Sequence, residues 1–494
     1  MLRIWTPVFL VAMGCMTSPS AFGQDIDNRL VPFQLLNAQG FERDWDTHAQ
    51  VASNYSKLDS GVVHVDSKKS LTQYVISYGN QREVIQETDI GPNGEAYGVL
   101  GAEEAANLRV EILAAEGLEA QVTQNIVPTI TMYVLSDQFV VQAIDAETGA
   151  TRWATQVGTR SWPTSGIGVS DDYVCLTNGM SLFCLDAKTG GILWKRRMDR
   201  TAGGGPLVTS NYVYVPKVNG SLEVFSLTDP KRPSRQLFAF GRAMQTPILT
   251  GRNNVVWVSD KKALFVAPVG ADVERFQYRV SFDRPISSNV CTGDNNTLIV
   301  GTDDGAIHCF DEGRGALIWK QFIANPLRET PLAVDDDVFL VSLGPSLTVL
   351  SLDTGIEKWT CDDVARIVSV SENHVITVDS VGRLVILDRQ SGRRASVIGE
   401  GGITFSVTNA LTDRAYLGTR SGILQCIRAI DLPTPEMHIA LDLKPNIPVD
   451  TPQDKPTTRP AGPKPADPAD PFGGKPDDDP FGAGGADDDP FGVK

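Results

Sequence analysis

One phrase recurs along this chain and decides most of what it can fold into. Residues 143–153 read Ala-Ile-Asp-Ala-Glu-Thr-Gly-Ala-Thr-Arg-Trp, and residues 184–194 read Cys-Leu-Asp-Ala-Lys-Thr-Gly-Gly-Ile-Leu-Trp. Residues 309–319 give Cys-Phe-Asp-Glu-Gly-Arg-Gly-Ala-Leu-Ile-Trp, and 351–359 give Ser-Leu-Asp-Thr-Gly-Ile-Glu-Lys-Trp. An internal period outranks any single residue, because each copy buries its apolar face only against its neighbours. The anchor aspartates Asp145, Asp186, Asp311 and Asp353 lie 41, 125 and 42 residues apart. The long gap is three periods and holds two degenerate copies, at Ser221–Leu227 and Ala263–Val269. Two more follow at Leu384–Asp388 and Leu424–Asp431. Copies every 40–45 residues or so, each made of four short strands, predict propeller blades. The expected fold is therefore all-β, an eight-bladed β-propeller, with seven blades as the alternative count.

Each copy reads as strands joined by tight turns. Asn178-Gly179, Asn219-Gly220 and Asp304-Gly305 sit between apolar runs, where glycine supplies positive φ without steric cost. The aspartate of each phrase suits a turn, since its carboxylate accepts from backbone N–H groups two residues on. Trp153, Trp194, Trp319 and Trp359 stand at one place in their copies, so they are expected to pack between blades rather than to bind a ligand. The eighth copy has no Trp strand of its own, whereas Gly40-Phe-Glu-Arg-Asp-Trp45 resembles one with a residue added. Residues 24–60 are thus expected to supply the closing strand of the last blade, which leaves the ring without an open edge.

Other segments depart from the period. Residues 1–23 resemble an export signal, with Arg3, an apolar stretch too short to span a bilayer, and Ala21-Phe22-Gly23 as a cleavage site. Cys15 is the alternative, a lipid-attachment site. No later run is apolar enough for a transmembrane helix. Residues 61–125 predict a small α+β insertion: a strand at Val62–Val65, a hairpin around Gly79-Asn80, a helix over Ala102–Glu116 and a returning strand at Gln121–Val127. Leu108, Ile112 and Leu113 form that helix's expected apolar face. Gly91–Gly94 and Gly98–Gly101 read as tight turns. The propeller itself is assigned to 126–434. From 435 to 494 the chain turns to Pro, Asp and Gly, which predicts a disordered tail. Asp-Pro-Phe-Gly occurs there three times, at 470–473, 479–482 and 489–492, as a multivalent short motif would.

Chemistry-bearing patterns are sparse. His48, His64, His308, His374 and His438 are scattered, and no metalloprotease, hydrolase, phosphate-loop, dinucleotide or haem motif occurs. No catalytic, cofactor-binding or metal-ligating residue is assigned. A net charge of −16, with no basic stripe, argues against a nucleic-acid partner. Cysteines 175, 184, 291, 309, 361 and 426 fall mostly in blade strands, as small buried hydrophobes do. Cys175 and Cys184 flank one hairpin, and a turn at Asn178-Gly179 sets them one residue out of register.

The phrase Ala-x-Asp-Ala-x-Thr-Gly-x-x-x-Trp resembles the repeat of the quinoprotein-type propellers, over roughly residues 126–434. That family includes dehydrogenases that use pyrroloquinoline quinone with calcium. It also includes non-catalytic members of the bacterial envelope, among them the propeller lipoprotein of outer-membrane β-barrel assembly. The quinone enzymes carry an adjacent Cys-Cys pair and longer loops, and no two cysteines here are neighbours. The resemblance to the non-catalytic members is therefore the closer one. It implies an exported protein-binding scaffold of the periplasm or cell envelope, with another envelope protein as partner and no cofactor. A quinone-dependent dehydrogenase, or a degenerate descendant that still binds the cofactor, is the alternative, so the enzyme question stays open while leaning to no.

Overall fold

A computed structural model describes residues 30–439, except 52–55, 80, 160, 271–274 and 294 and the side chains of 81 and 82. The export signal, Cys15 and the three tail motifs lie outside the described residues. The strands of the described residues form eight sheets, seven of four strands and one of five. The fold is a β-propeller. Each sheet, or blade, runs as a meander of neighbouring antiparallel strands, and we number the blades from the N-terminus of the ring.

The third strand of every blade falls on one of the eight sequence copies: Val140–Asp145, Ser181–Asp186, Leu222–Ser226, Ala263–Pro268, Ala306–Asp311, Ser346–Ser351, Leu384–Asp388 and Ile423–Ala429. These strands, and the second strands beside them, are buried nearly throughout, because blades stack on both of their faces. That stacking explains why they read as unbroken apolar runs rather than as alternating ones.

The last blade is assembled from both ends of the ring. Phe41–His48 pairs antiparallel with Ile423–Ala429, from Phe41 opposite Ala429 to His48 opposite Ile423. Its register skips Asp44, so the added residue is a β-bulge. The same bulge precedes Trp153, Trp194, Trp319 and Trp359 in their own blades. A bulge re-aims the side chain that follows it. Here it swings each indole out of its own sheet toward the next blade.

The insertion is not a separate module. Leu58–Tyr78 and Ala120–Ser136 are single long antiparallel strands; the first leaves blade 1 to form an arm and the second returns along it into blade 1. The boundary expected at residue 126 therefore falls inside a strand, and the innermost strand of blade 1 starts near Leu58. Asp66 is the cause of the misreading. Its carboxylate accepts the N–H groups of Lys68 and Lys69 at 2.9 and 3.0 Å, which bulges the strand between Val65 and Ser70 without ending it. Beyond the bulge, Gln81–Gln86 adds a third strand and the helix Gly98–Ala115 packs on the sheet. Gly91–Gly94 is a turn, whereas Gly98–Gly101 is the first turn of that helix.

Candidate functional site: docking surfaces of the ring and its arm

The repeated residues serve the ring. Trp153 donates its indole N–H to the Ala187 carbonyl at 2.8 Å and lies against Gly190 of blade 2. Trp319 and Trp359 do the same to Leu352 and Arg389, against Gly355 and Gly392. Trp45 closes the circle: it donates to Ala146 at 2.9 Å and covers Gly149 of blade 1. A Cβ at Gly149, where φ is +72°, would stand 2.7 Å from the indole. Each clamp thus needs the glycine as much as the tryptophan.

The aspartates are turn formers. Asp145 accepts the N–H groups of Glu147 and Thr148, and Asp186 those of Lys188 and Thr189. Asp311 accepts from Arg314. Asp353 does not share this place. The bond from Gly355 N–H to the Ser351 carbonyl matches that from Gly149 to Asp145, so Ser351 opens the turn in blade 6. Asp388, not anticipated as an anchor, opens the turn in blade 7 and accepts from Ser391. The degenerate copies show what the motif supplies. Trp194 packs on a core shared with blade 3 that includes Val213 and Phe225, and its Nε1 has no partner among the described residues. In blade 4 Tyr278 replaces the tryptophan, covers Gly315 and donates to the Glu312 carbonyl.

The histidines stay apart. His48 and His438 bond the carbonyls of Ala49 and Val370, His308 stacks on Phe310 where burial lowers its pKa, and His374 meets Phe41 edge-on. His64 pairs with Asp171 of blade 2 at 3.1 Å, and Ser67 bonds the same carboxylate, which holds Asp171 well below the usual carboxylate range. These contacts fix the base of the arm. Among the described residues no group of three or more His, Cys, Asp or Glu side chains is placed to hold a metal ion. Cys175 and Cys184 are free, buried and directly opposite each other, because the turn is at Gly179-Met180 rather than Asn178-Gly179.

Among the described residues, three surfaces stand out as places for a partner to dock. The channel holds a cavity of about 740 Å³, lined by inner strands and loops that include Gln245, Ser288, Cys291, Arg328 and Glu329. Burial pushes the Glu329 carboxyl up. A second cavity of about 420 Å³ opens beside Trp162, with Met180, Phe183, Lys195 and Arg197 in its wall. Trp162 is 59% exposed, and the Lys195 ammonium sits 4.9 Å from the Phe183 ring centroid. The third surface is the arm. Its helix buries Ala102, Ala106 and Leu113 on Tyr74 and Ile76 in a small core of its own. Leu108 and Ile112, expected on that buried face with Leu113, instead point to solvent.

Comparison with known proteins places the ring. The PQQ_2 family, described as "Outer membrane protein assembly factor BamB", matches residues 137–233 and 254–404. This chain belongs to that family. BamB of Yersinia pestis is 25% identical over 287 residues, 50% of this chain and 69% of the relative. BamB of Moranella endobia is 24% identical over 221 residues, 41% of this chain and 54% of the relative, so the chain spans about half the length of that one. The crystal structure of BamB from Moraxella catarrhalis superposes with a TM-score of 0.50 at 16% identity, covering 60% of this chain and 93% of that one. That likeness concerns the fold. The family match begins at residue 137, immediately past the arm, and ends at 404, so the arm, the closing strand and the last blade lie outside the matched residues.

Proposed function

We propose that this protein is an exported, non-catalytic propeller that serves as a binding scaffold in the bacterial cell envelope, with another envelope protein as its partner. The observation that carries this reading is membership of the BamB family, whose relatives are named as outer membrane protein assembly factors. The geometry agrees with it. The recurring aspartates and tryptophans are committed to turns and to clamps between blades. What is left to vary is the loops, the cleft at Trp162 and the arm, the parts of a scaffold that recognise other molecules. No helix among the described residues is long and apolar enough to cross a membrane. A lipid on Cys15 would add a membrane anchor of its own.

Two measurements test the reading. The first is the N-terminal mass of the mature protein from fractionated cells, expected to begin at Gln24, or at a lipid-modified Cys15. The second is photo-crosslinking in intact cells from an unnatural residue at Trp162, expected to give discrete adducts with envelope proteins. A chain that keeps Met1 and stays in the cytosol would overturn the export; an absence of adducts from any ring position would overturn the scaffold.

A further inference from the structure

We infer that the arm is a docking platform for a basic amphipathic helix of a partner protein, an inference that rests on the scaffold reading and names the surface and the chemistry it selects. The starting point is a helix that is apolar on two sides. One side packs on the arm's own sheet through Ala102, Ala106 and Leu113. The other carries Leu100, Leu108 and Ile112, which are 67, 59 and 43% exposed. At 100° per residue these three share one row of i±4 neighbours with Glu104, roughly opposite the buried alanines. A cluster of large apolar residues on a second, exposed side of a helix marks a surface that something else covers. Ile90 and Leu118, at 70 and 43% exposure, add to the apolar surface of the same insertion.

Charge selects the occupant. Residues 79–119 hold nine Asp and Glu against two basic residues, Arg82 and Arg109. Arg109 is already committed: its Nε and Nη2 bind both oxygens of Glu83 at 2.7 and 2.6 Å, with Tyr78 donating to the same carboxylate. Glu104 stands within the exposed leucine row and Glu111 beside it, and both are exposed. An acidic rim around an apolar stripe complements lysines and arginines that flank an apolar stripe. The same charge disfavours the other candidates. A second copy would bring two acidic arms together, and an anionic membrane surface would repel this one.

The platform is also held rigidly. Its strands are continuous with those of blade 1, and Asp171 of blade 2 ties down His64 and Ser67 at its base. A partner helix would therefore meet a preformed surface, which lowers the ordering cost of binding.

The test uses the full mature chain and two synthetic helical peptides with leucines in heptad spacing, one with lysine and one with glutamate at the polar positions. Fluorescence anisotropy should show saturable binding of the Leu/Lys peptide, weakening as salt rises, and none of the Leu/Glu peptide. Leu108→Gln with Ile112→Gln should weaken binding at least tenfold. Glu104→Lys with Glu111→Lys should weaken it and remove most of the salt dependence. All four positions are exposed, so the melting temperature should hold in both double variants. Equal binding of both peptides, or wild-type binding by the variants, would overturn the inference. So would sedimentation showing a dimer that Leu108→Gln with Ile112→Gln dissolves, since the occupant would then be a second copy. In-cell crosslinking separates this from the scaffold reading: adducts from Trp162 without adducts from Leu108 would sink the arm alone, and adducts from neither would sink both.

Discussion

Replacing Trp45 with alanine should open the ring at one identifiable seam. Trp45 is 7% exposed and sits in the largest of the core clusters, with Val63, Ile130, Tyr416 and Cys426 among its neighbours. Truncating a buried tryptophan costs about 3–5 kcal/mol. The Ala146 carbonyl loses its donor, which adds about 1 kcal/mol. For a ring of this size the unfolding entropy is on the order of 0.8 kcal/mol per degree, so a loss of about 4–6 kcal/mol lowers the melting temperature by about 5–8 °C. Trp153→Ala removes an equivalent clamp between blades 1 and 2 and should cost about as much, since that indole is 8% exposed and makes the same bond. The two variants should differ in where they loosen. Phe41–His48 is joined to its blade only by pairing with Ile423–Ala429, so Trp45→Ala should raise hydrogen exchange first in those two strands. Trp153→Ala should leave them protected. Calorimetry with exchange mass spectrometry reads both effects. A melting temperature within about 1 °C of wild type, or an exchange increase spread evenly round the ring, would refute the closure reasoning. Gly149→Val, which drives a side chain into the same indole, should reproduce the Trp45→Ala pattern.

The same seam carries a pH dependence. Burial pushes the Glu147 carboxyl up to about 7, although Arg414 Nε lies 3.6 Å away, because that guanidinium already bonds Asp413 at 2.9 Å. A carboxyl whose folded pKa exceeds its unfolded value stabilises fully below the unfolded pKa, about 4.5, and loses that contribution as pH rises through about 7. Melting temperatures from pH 4.5 to 8 should therefore fall more steeply in the wild type than in Glu147→Gln, and parallel profiles would refute the assignment. For the cofactor alternative, calorimetric titration of the mature chain with pyrroloquinoline quinone and calcium should give no saturable heat and no thermal shift. One-to-one binding would instead revive the dehydrogenase reading and call for trials with alcohols and sugars.

The ring was legible because its repeat is written in turn chemistry. Asp145, Asp186 and Asp311 open their turns with side chains that few residues can replace, and Gly149 and Gly190 are demanded by both φ and the tryptophan against them. Where the turn tolerates substitution, the reading slipped. Ser351 opens its turn through a backbone carbonyl that any residue provides, so the nearby Asp353 was taken for the anchor. The arm was harder still. A polar stretch, Asp66-Ser-Lys-Lys69, looks like a loop, yet Asp66 folds it into a bulge and both flanking segments remain one strand. In the helix, leucines outrank alanines as core candidates on hydrophobicity alone. Close approach to Tyr74 and Ile76 favours the small side chains of Ala102 and Ala106, and Leu100 and Leu108 are turned outward while Leu113 stays buried.

That inversion separates the two parts of the molecule. In the ring, sequence pattern and burial agree: Trp45, Trp153, Trp319 and Trp359 are buried, bonded and matched to glycines. In the arm they disagree, because large apolar residues stand exposed while small ones fill the core. A helix needs only one apolar side to sit on a three-stranded sheet, so Leu100, Leu108 and Ile112 contribute nothing to the arm's own stability that polar residues could not. Exposed as they are, they raise the risk of aggregation. Such residues persist in a folded chain when something else covers them, and the acidic surround of this row limits what that can be. If Leu108→Gln with Ile112→Gln folds as stably as the wild type and also leaves every binding measurement unchanged, the row has no covering partner and the arm is a structural ornament of blade 1. If the same variant keeps its stability and loses a basic helical partner, the two exposed residues are the contact that the ring exists to present.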